Sequence, residues 1–231
     1  MGSVMTSRKW GLAGRIASLG RTHKGIVATL LVLLATSSTL QAADPIRIVA
    51  LGDSLTAGYG LPQEDGFVAQ LQARLDAANV DALVIDAGVS GDTTAGGLAR
   101  LDWALAEGAD AVIVELGAND ALRGVDPESS RENLEAIVDE LISRDIEVLL
   151  VGMLAPRNLG NEYAAAFDSM YWDIAREHDI LFYPFFLEGV ATDPALNQAD
   201  GIHPNREGVA VIVESIWDEI LILTARVYAD R

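Results

Sequence analysis

The chain has no cysteine among its 231 residues. That absence removes disulfides, thiolate zinc sites, iron–sulfur clusters, a cysteine nucleophile and an acylated lipoprotein cysteine. Lysine is nearly as scarce, since Lys9 and Lys24 are the only two. With no lysine after Lys24 there is no phosphate-binding P-loop, which needs one at the start of a helix. Positive charge is short overall, with 16 Lys+Arg against 34 Asp+Glu and a formal net charge of −18. A nucleic-acid binder needs a basic footprint to displace counterions, so that class is set aside. No Gly-x-Ser-x-Gly string occurs, which excludes the nucleophile elbow built on it. Histidine appears only at 23, 178 and 203. What remains is half hydrophobic, enough for a core and unlike a disordered chain.

The charge is unevenly spread. Residues 1–43 hold five basic residues (Arg8, Lys9, Arg15, Arg21, Lys24) and no acidic one, leaving eleven arginines against 34 acidic residues beyond them. A basic start, an apolar run over 25–35 and small residues ending at Ala42 and Ala43 read as a secretory signal peptide. The apolar run is too short for the ~20 residues that span a bilayer. The expectation is a leader over 1–43 and one domain over 44–231, periplasmic or secreted, with no stable membrane anchor once the leader is removed.

Within 44–231, short apolar, mostly β-branched runs begin at residues 46, 82, 111, 146 and 180. Such runs suit the buried strands of a parallel sheet. Their spacing leaves room for the crossover that keeps successive strands parallel. Helical patterns fill the gaps over 67–78, 93–106, 131–142, 163–177 and 205–227. Trp103, Trp172 and Trp217 fall in these stretches and read as core. The pattern predicts a three-layer α/β domain on a five-stranded parallel sheet.

Polar signals fall where strands end, and ligands of open parallel sheets bind outside the carboxyl ends of strands. Strand one is followed by Gly52-Asp53-Ser54-Leu55, strand two by Gly88-Val89-Ser90-Gly91-Asp92 and strand three by Gly117-Ala118-Asn119-Asp120. Beyond strand five lies Asp200-Gly201-Ile202-His203-Pro204-Asn205. A serine nucleophile needs a base in hydrogen-bond reach, a group orienting that base, and donors for an oxyanion. His203 is the one histidine on this rim, and Asp200 lies close enough to fix its tautomer. Ser54 sits at a strand-to-helix turn, where backbone N–H groups can converge on an anion. Gly91 allows close backbone approach, and Asn119 offers a side-chain N–H. Each residue also has a plainer reading. Asn119 suits a helix cap, Gly91 a turn, His178 a helix C-terminus, and Asp53, Asp92 and Asp120 caps and loop braces.

Taken in order, Gly52-Asp53-Ser54-Leu55, Gly91, Asn119 and Asp200 with His203 resemble the blocks of the GDSL/SGNH hydrolase family. The fuller strings at 52–60, 117–124 and 200–205 are similar to its periplasmic acyl-CoA thioesterase, lysophospholipase and arylesterase branch. The likeness spans roughly residues 46–220, with Ala118 standing where that branch commonly has glycine. The resemblance implies a flavodoxin-like α/β/α fold and a Ser54–His203–Asp200 triad. It also implies an oxyanion hole from the Ser54 and Gly91 N–H groups and the Asn119 side chain. The expected substrate is a small acyl ester or thioester, cleaved through an acyl-enzyme without cofactor, metal, nucleic acid or obligate protein partner. Leu61, Leu122, Leu154, Pro156 and Phe186 are candidates for the acyl-binding wall.

A carbohydrate or other small-ester deacetylase would use the same residues. From other classes, a metal-dependent phosphoesterase would use Asp53, Asp120, Asp200 and His203 as ligands, and a periplasmic binding module would use none of them catalytically.

Overall fold

The computed structural model describes residues 1–2 and 44–231. Apart from its first two residues, the expected leader lies outside the described residues. Pro45–Arg231 forms one compact unit by its internal contacts. Five strands, β1 (Ile46–Gly52), β2 (Ala82–Gly88), β3 (Ala111–Glu115), β4 (Glu147–Val151) and β5 (Leu181–Tyr183), form one sheet in the order β2-β1-β3-β4-β5. Every pairing is parallel. The central strand β3 is buried at all five positions, four of them its apolar run Ala111 to Val114.

The register brings the strand ends level. Gly52 pairs with Gly88 on one side and Glu115 on the other, and Glu115 pairs with Val151. From β1 the chain moves outward to β2 and then crosses back to β3. The order therefore reverses between β1 and β3, which opens a crevice at their carboxyl ends. The loops carrying Ser54 and Asn119 leave the sheet on its two sides.

Helices cover both faces. α1 (Phe67–Ala77), α7 (Arg206–Ser215) and α8 (Trp217–Asp230) pack together on one side of the sheet. α2 (Thr94–Ala99), α5 (Pro127–Ser143) and α6 (Asn161–His178) pack on the other. Two short helices, α3 (Leu101–Ala104) and α4 (Ala118–Arg123), complete the set. α5 shows how sequence sets such a helix. Asp126 caps it by accepting from the Glu128 N–H, Pro127 opens it, and Leu134, Ile137, Val138 and Leu141 form its buried stripe. None of the helices among the described residues is long and apolar enough to cross a membrane.

The structure departs from the sequence expectations in three places. The helix expected over 93–106 breaks at Arg100, whose backbone leaves helical geometry while its side chain turns inward to Asp92 and the Gly52 carbonyl. The helix expected over 205–227 turns at the fully buried Ile216, so that α7 stays on α1 while α8 crosses β3, β4 and β5. Trp217 is buried, but Trp103 and Trp172 are exposed on the outer faces of their helices.

Candidate active site

β1 ends at Gly52, and the chain turns sharply through Asp53 and Ser54. A side chain at Gly52 would have its Cβ 2.0 Å from Thr56 Oγ1 and 2.7 Å from Glu115 Oε2, so the turn requires glycine there. Asp53 is fully buried and braces the turn on both sides. Its Oδ1 accepts from the Leu55 N–H at 3.0 Å, and its Oδ2 accepts from Asn119 Nδ2 at 2.8 Å.

Ser54 Oγ lies 3.0 Å from His203 Nε2, although 149 residues separate the two. His203 Nδ1 lies 2.7 Å from Asp200 Oδ2. With the ring proton on Nδ1 and donated to Asp200, Nε2 is left to accept from the Ser54 hydroxyl. The other Asp200 oxygen accepts from the Ile202 and His203 backbone N–H groups at 3.0 and 3.1 Å. Those bonds, the His203 ring first among them, lower the Asp200 pKa to about 2 and keep it a carboxylate.

Asp53 behaves in the opposite way. Burial raises its pKa to about 6, against the pull of the Leu55 and Asn119 bonds and of His203. A carboxyl that holds its proton more tightly when folded makes folding less favourable as pH rises. This contribution is present in full below about pH 4 and is lost as pH climbs through about 6. Wild type should therefore lose up to about 3 kcal/mol relative to Asp53→Asn between pH 4 and 7, measured by urea unfolding. A difference that stays constant with pH would contradict this.

The Gly91 turn sits beside the Ser54 turn. Gly91 has a φ of +88°, a conformation that favours glycine. The turn is fastened from three directions. Gly52 O accepts from the Val89 N–H at 3.0 Å, Gly91 O accepts from Arg123 Nη2 at 2.7 Å, and Arg100 Nε reaches Asp92 Oδ2 at 2.5 Å. Among the described residues, the backbone N–H groups of Ser54 and Gly91 make no hydrogen bond. Both residues are half-buried, and their unpaired N–H groups lie in adjoining turns. Asn119, the second residue of α4, gives one amide proton to Asp53 and keeps the other.

A cleft of about 300 Å³ opens beside Ser54, His203 and Asn119. Leu122, Met153, Leu154, Pro156, Phe185, Leu187 and Ile202 supply most of its apolar wall. Two residues expected in that wall lie elsewhere. Leu61 packs against the hydrophobic core. Phe186 is fully buried and sets its ring edge-on against Phe67, with ring centroids 5.1 Å apart. Its neighbours Phe185 and Leu187 line the cleft instead.

Two further residues escaped sequence reasoning. Tyr59 lays its ring 4.7 Å from that of His203. Gln198 Nε2 donates to the carbonyls of Tyr59 and Pro204 at 2.7 and 2.9 Å, tying the His203 loop to the loop that follows Ser54. The Gly60 Cβ position lies 2.3 Å from Gln198 Oε1, so this contact too depends on a glycine.

The four residues considered as metal ligands do not converge. Asp120 is buried and occupied in accepting from the Thr94 N–H and from the hydroxyls of Thr94 and Ser130. No group of three or more His, Asp or Glu side chains placed to hold a metal occurs among the described residues. His178 lies at the end of α6 beside Asp139, away from the cleft.

Comparison with known proteins gives the family. Residues 50–211 match the model of the GDSL-like lipase/acylhydrolase family. The chain is 42% identical over 180 residues to esterase TesA of Pseudomonas aeruginosa, covering 78% of this chain and 89% of that one. It is 38% identical over 177 residues to thioesterase 1/protease 1/lysophospholipase L1 of Escherichia coli, covering 76% and 84%. Among solved structures, the psychrotrophic esterase EstA from Pseudoalteromonas sp., inhibited by monoethylphosphonate, is similar with a TM-score of 0.72 and 36% identity. That likeness covers 75% of this chain and 96% of EstA. The chain belongs to the GDSL-like lipase/acylhydrolase family and is a carboxylic ester hydrolase.

Proposed function

We propose that this protein cleaves small acyl esters and thioesters through an acyl-enzyme on Ser54, with His203 as general base and acid and Asp200 orienting the ring. One observation carries this assignment: a hydroxyl, an imidazole and a carboxylate linked at 3.0 and 2.7 Å on the edge of an apolar cleft. His203 Nε2 takes the Ser54 proton as Oγ attacks the substrate carbonyl. The Ser54 and Gly91 N–H groups and the Asn119 amide hold the resulting oxyanion. Collapse of the tetrahedral species expels the alcohol or thiol, protonated by His203, and leaves the acyl group on Ser54. A water deprotonated by the same ring then attacks the acyl carbonyl, and its collapse releases the acid and returns the Ser54 proton.

The cleft wall favours an acyl chain over an acetyl group, which would leave most of Leu122, Met153, Leu154 and Phe185 without contact. Aryl esters, acyl-CoA thioesters and lysophospholipids are therefore the expected substrates ahead of acetylated sugars. The basic and apolar residues of 1–43 act as an export signal, so the working enzyme is the domain over 44–231. The direct test is a panel of acyl-CoAs, lysophospholipids, aryl esters and acetylated sugars. Turnover of acetylated sugars alone would overturn the assignment.

The cleft gives a second measurement. Phe185→Ala should shift the kcat/KM ratio of long to short p-nitrophenyl esters by about tenfold toward the shorter chains, because only a longer acyl group reaches that ring. Phe186→Ala should instead destabilise the fold by about 3–5 kcal/mol, seen in urea unfolding, and leave that ratio unchanged. An unmoved ratio in Phe185→Ala would remove that residue from the acyl site.

A further inference from the structure

One buried acidic residue has no place in the mechanism above. Glu115 ends the central strand β3 and is 1% exposed. Its Oε2 accepts from the Thr56 hydroxyl at 2.7 Å and from the Asp53 backbone N–H at 3.4 Å. Its Oε1 is buried with no hydrogen-bond partner. An orphaned oxygen in a fully buried carboxyl is rare in folded proteins, and apolar residues fill the rest of this strand. Its two bonds land on both sides of one residue, for the Asp53 N–H precedes Ser54 in the chain and Thr56 follows it by two. Gly52 has no side chain, and that gap is what admits Glu115 so close to the turn.

We propose that Glu115 is a positioning residue for the nucleophile, a buried strut that grips the Ser54 turn through Thr56 and the Asp53 amide and sets the hydroxyl's aim at His203. This rests on Ser54 being the nucleophile. The carboxyl acts in neutral form. Burial, reinforced by the nearby Asp53 charge, raises the proton affinity of Glu115 well above the usual carboxylate range. Because Oε2 receives two donors, the proton resides on Oε1. The strut thus works as an acceptor and needs no charge.

That distinction gives the test. Glu115→Met, Glu115→Gln, Thr56→Val and the Glu115→Met/Thr56→Val double variant are compared with wild type and Ser54→Ala. The readouts are kcat and KM on a p-nitrophenyl ester, the rate of labelling by an organophosphonate, and thermal melting. Glu115→Met should lower kcat and labelling by about 10–100-fold, the scale of a small misplacement of a reacting atom, with KM within about twofold. Glu115→Gln keeps a neutral acceptor for Thr56 and the Asp53 amide, so it should restore kcat to within about threefold. Thr56→Val should fall in the same direction as Glu115→Met, and the double variant should be no slower than the slower single. A purely structural residue would lower the melting temperature without this split between kcat and KM.

The proposal is overturned if a folded Glu115→Met keeps wild-type kcat, if Glu115→Gln is as slow as Glu115→Met, or if the two losses multiply. Should Glu115→Met fail to fold, Thr56→Val decides alone, since it removes one hydroxyl: unchanged kcat there refutes the strut. Activity surviving in Ser54→Ala would refute the nucleophile assignment and the strut together. A dead Ser54→Ala beside an unimpaired Thr56→Val would refute the strut only.

Discussion

Ser54→Ala is expected to leave no measurable ester hydrolysis. The substitution removes the atom that forms the acyl bond and leaves His203 Nε2 without the hydroxyl it meets at 3.0 Å. In serine hydrolases whose triad works as a unit, loss of the nucleophile alone lowers kcat by ~10⁶-fold. The Gly91 and Asn119 donors and the apolar cleft survive, so a rate of ~10³–10⁴ over water is all that should remain. Covalent labelling by an organophosphonate should disappear as well, the kind of reagent that inhibits the similar esterase EstA. The melting temperature should stay close to wild type, because the variant removes one oxygen from a half-buried side chain. A variant keeping even a tenth of wild-type turnover would show that Ser54 is not the nucleophile.

Asp200→Asn should cost up to ~10⁴-fold in kcat with little change in KM. The amide oxygen can still accept from the Ile202 and His203 N–H groups, which holds the loop in place. Its NH₂ would then face His203 Nδ1 at the 2.7 Å position now held by Oδ2. Facing a donor, Nδ1 must become an acceptor, which moves the ring proton to Nε2. That nitrogen can no longer accept from Ser54, and no carboxylate remains to stabilise the imidazolium formed in each step. The lowered Asp200 pKa adds a condition on pH. With a native value of about 2, this carboxylate stays ionised throughout mildly acidic conditions. Its contribution to stability is present above about pH 4 and is lost as pH falls through about 2. Loss of activity above pH 4 must therefore come from another group. A loss below tenfold in Asp200→Asn would remove it from the orienting role.

The sheet and the four rim loops were legible because their signals are local. Five apolar runs at crossover spacing, the first three followed closely by glycine and a polar residue, specify parallel strands with functional loops at one end. The types at 54, 200 and 203 narrowed the chemistry, since one histidine alone stood on that rim. What stayed hidden depends on contacts between distant segments. Nothing near Phe185 and Phe186 indicates which ring faces the cleft, because the core packing of Phe67 decides it. Arg100 reads as an ordinary helical residue until Asp92 and the Gly52 carbonyl draw its side chain inward. Glu115 reads as the charged end of a strand, and its burial follows from a missing side chain on the neighbouring strand. Gln198 looks like any loop glutamine, yet it fastens the two loops that bring His203 and Ser54 together.

The distance along the chain between Ser54 and His203 bears on how the enzyme comes into being. The Ser54 turn leans on Asn119 of α4 and Glu115 of β3, and the His203 ring reaches it only when the loop after β5 docks there. On the proposed mechanism, a nascent or half-refolded molecule therefore carries a harmless serine, and hydrolytic competence comes with the finished fold alone.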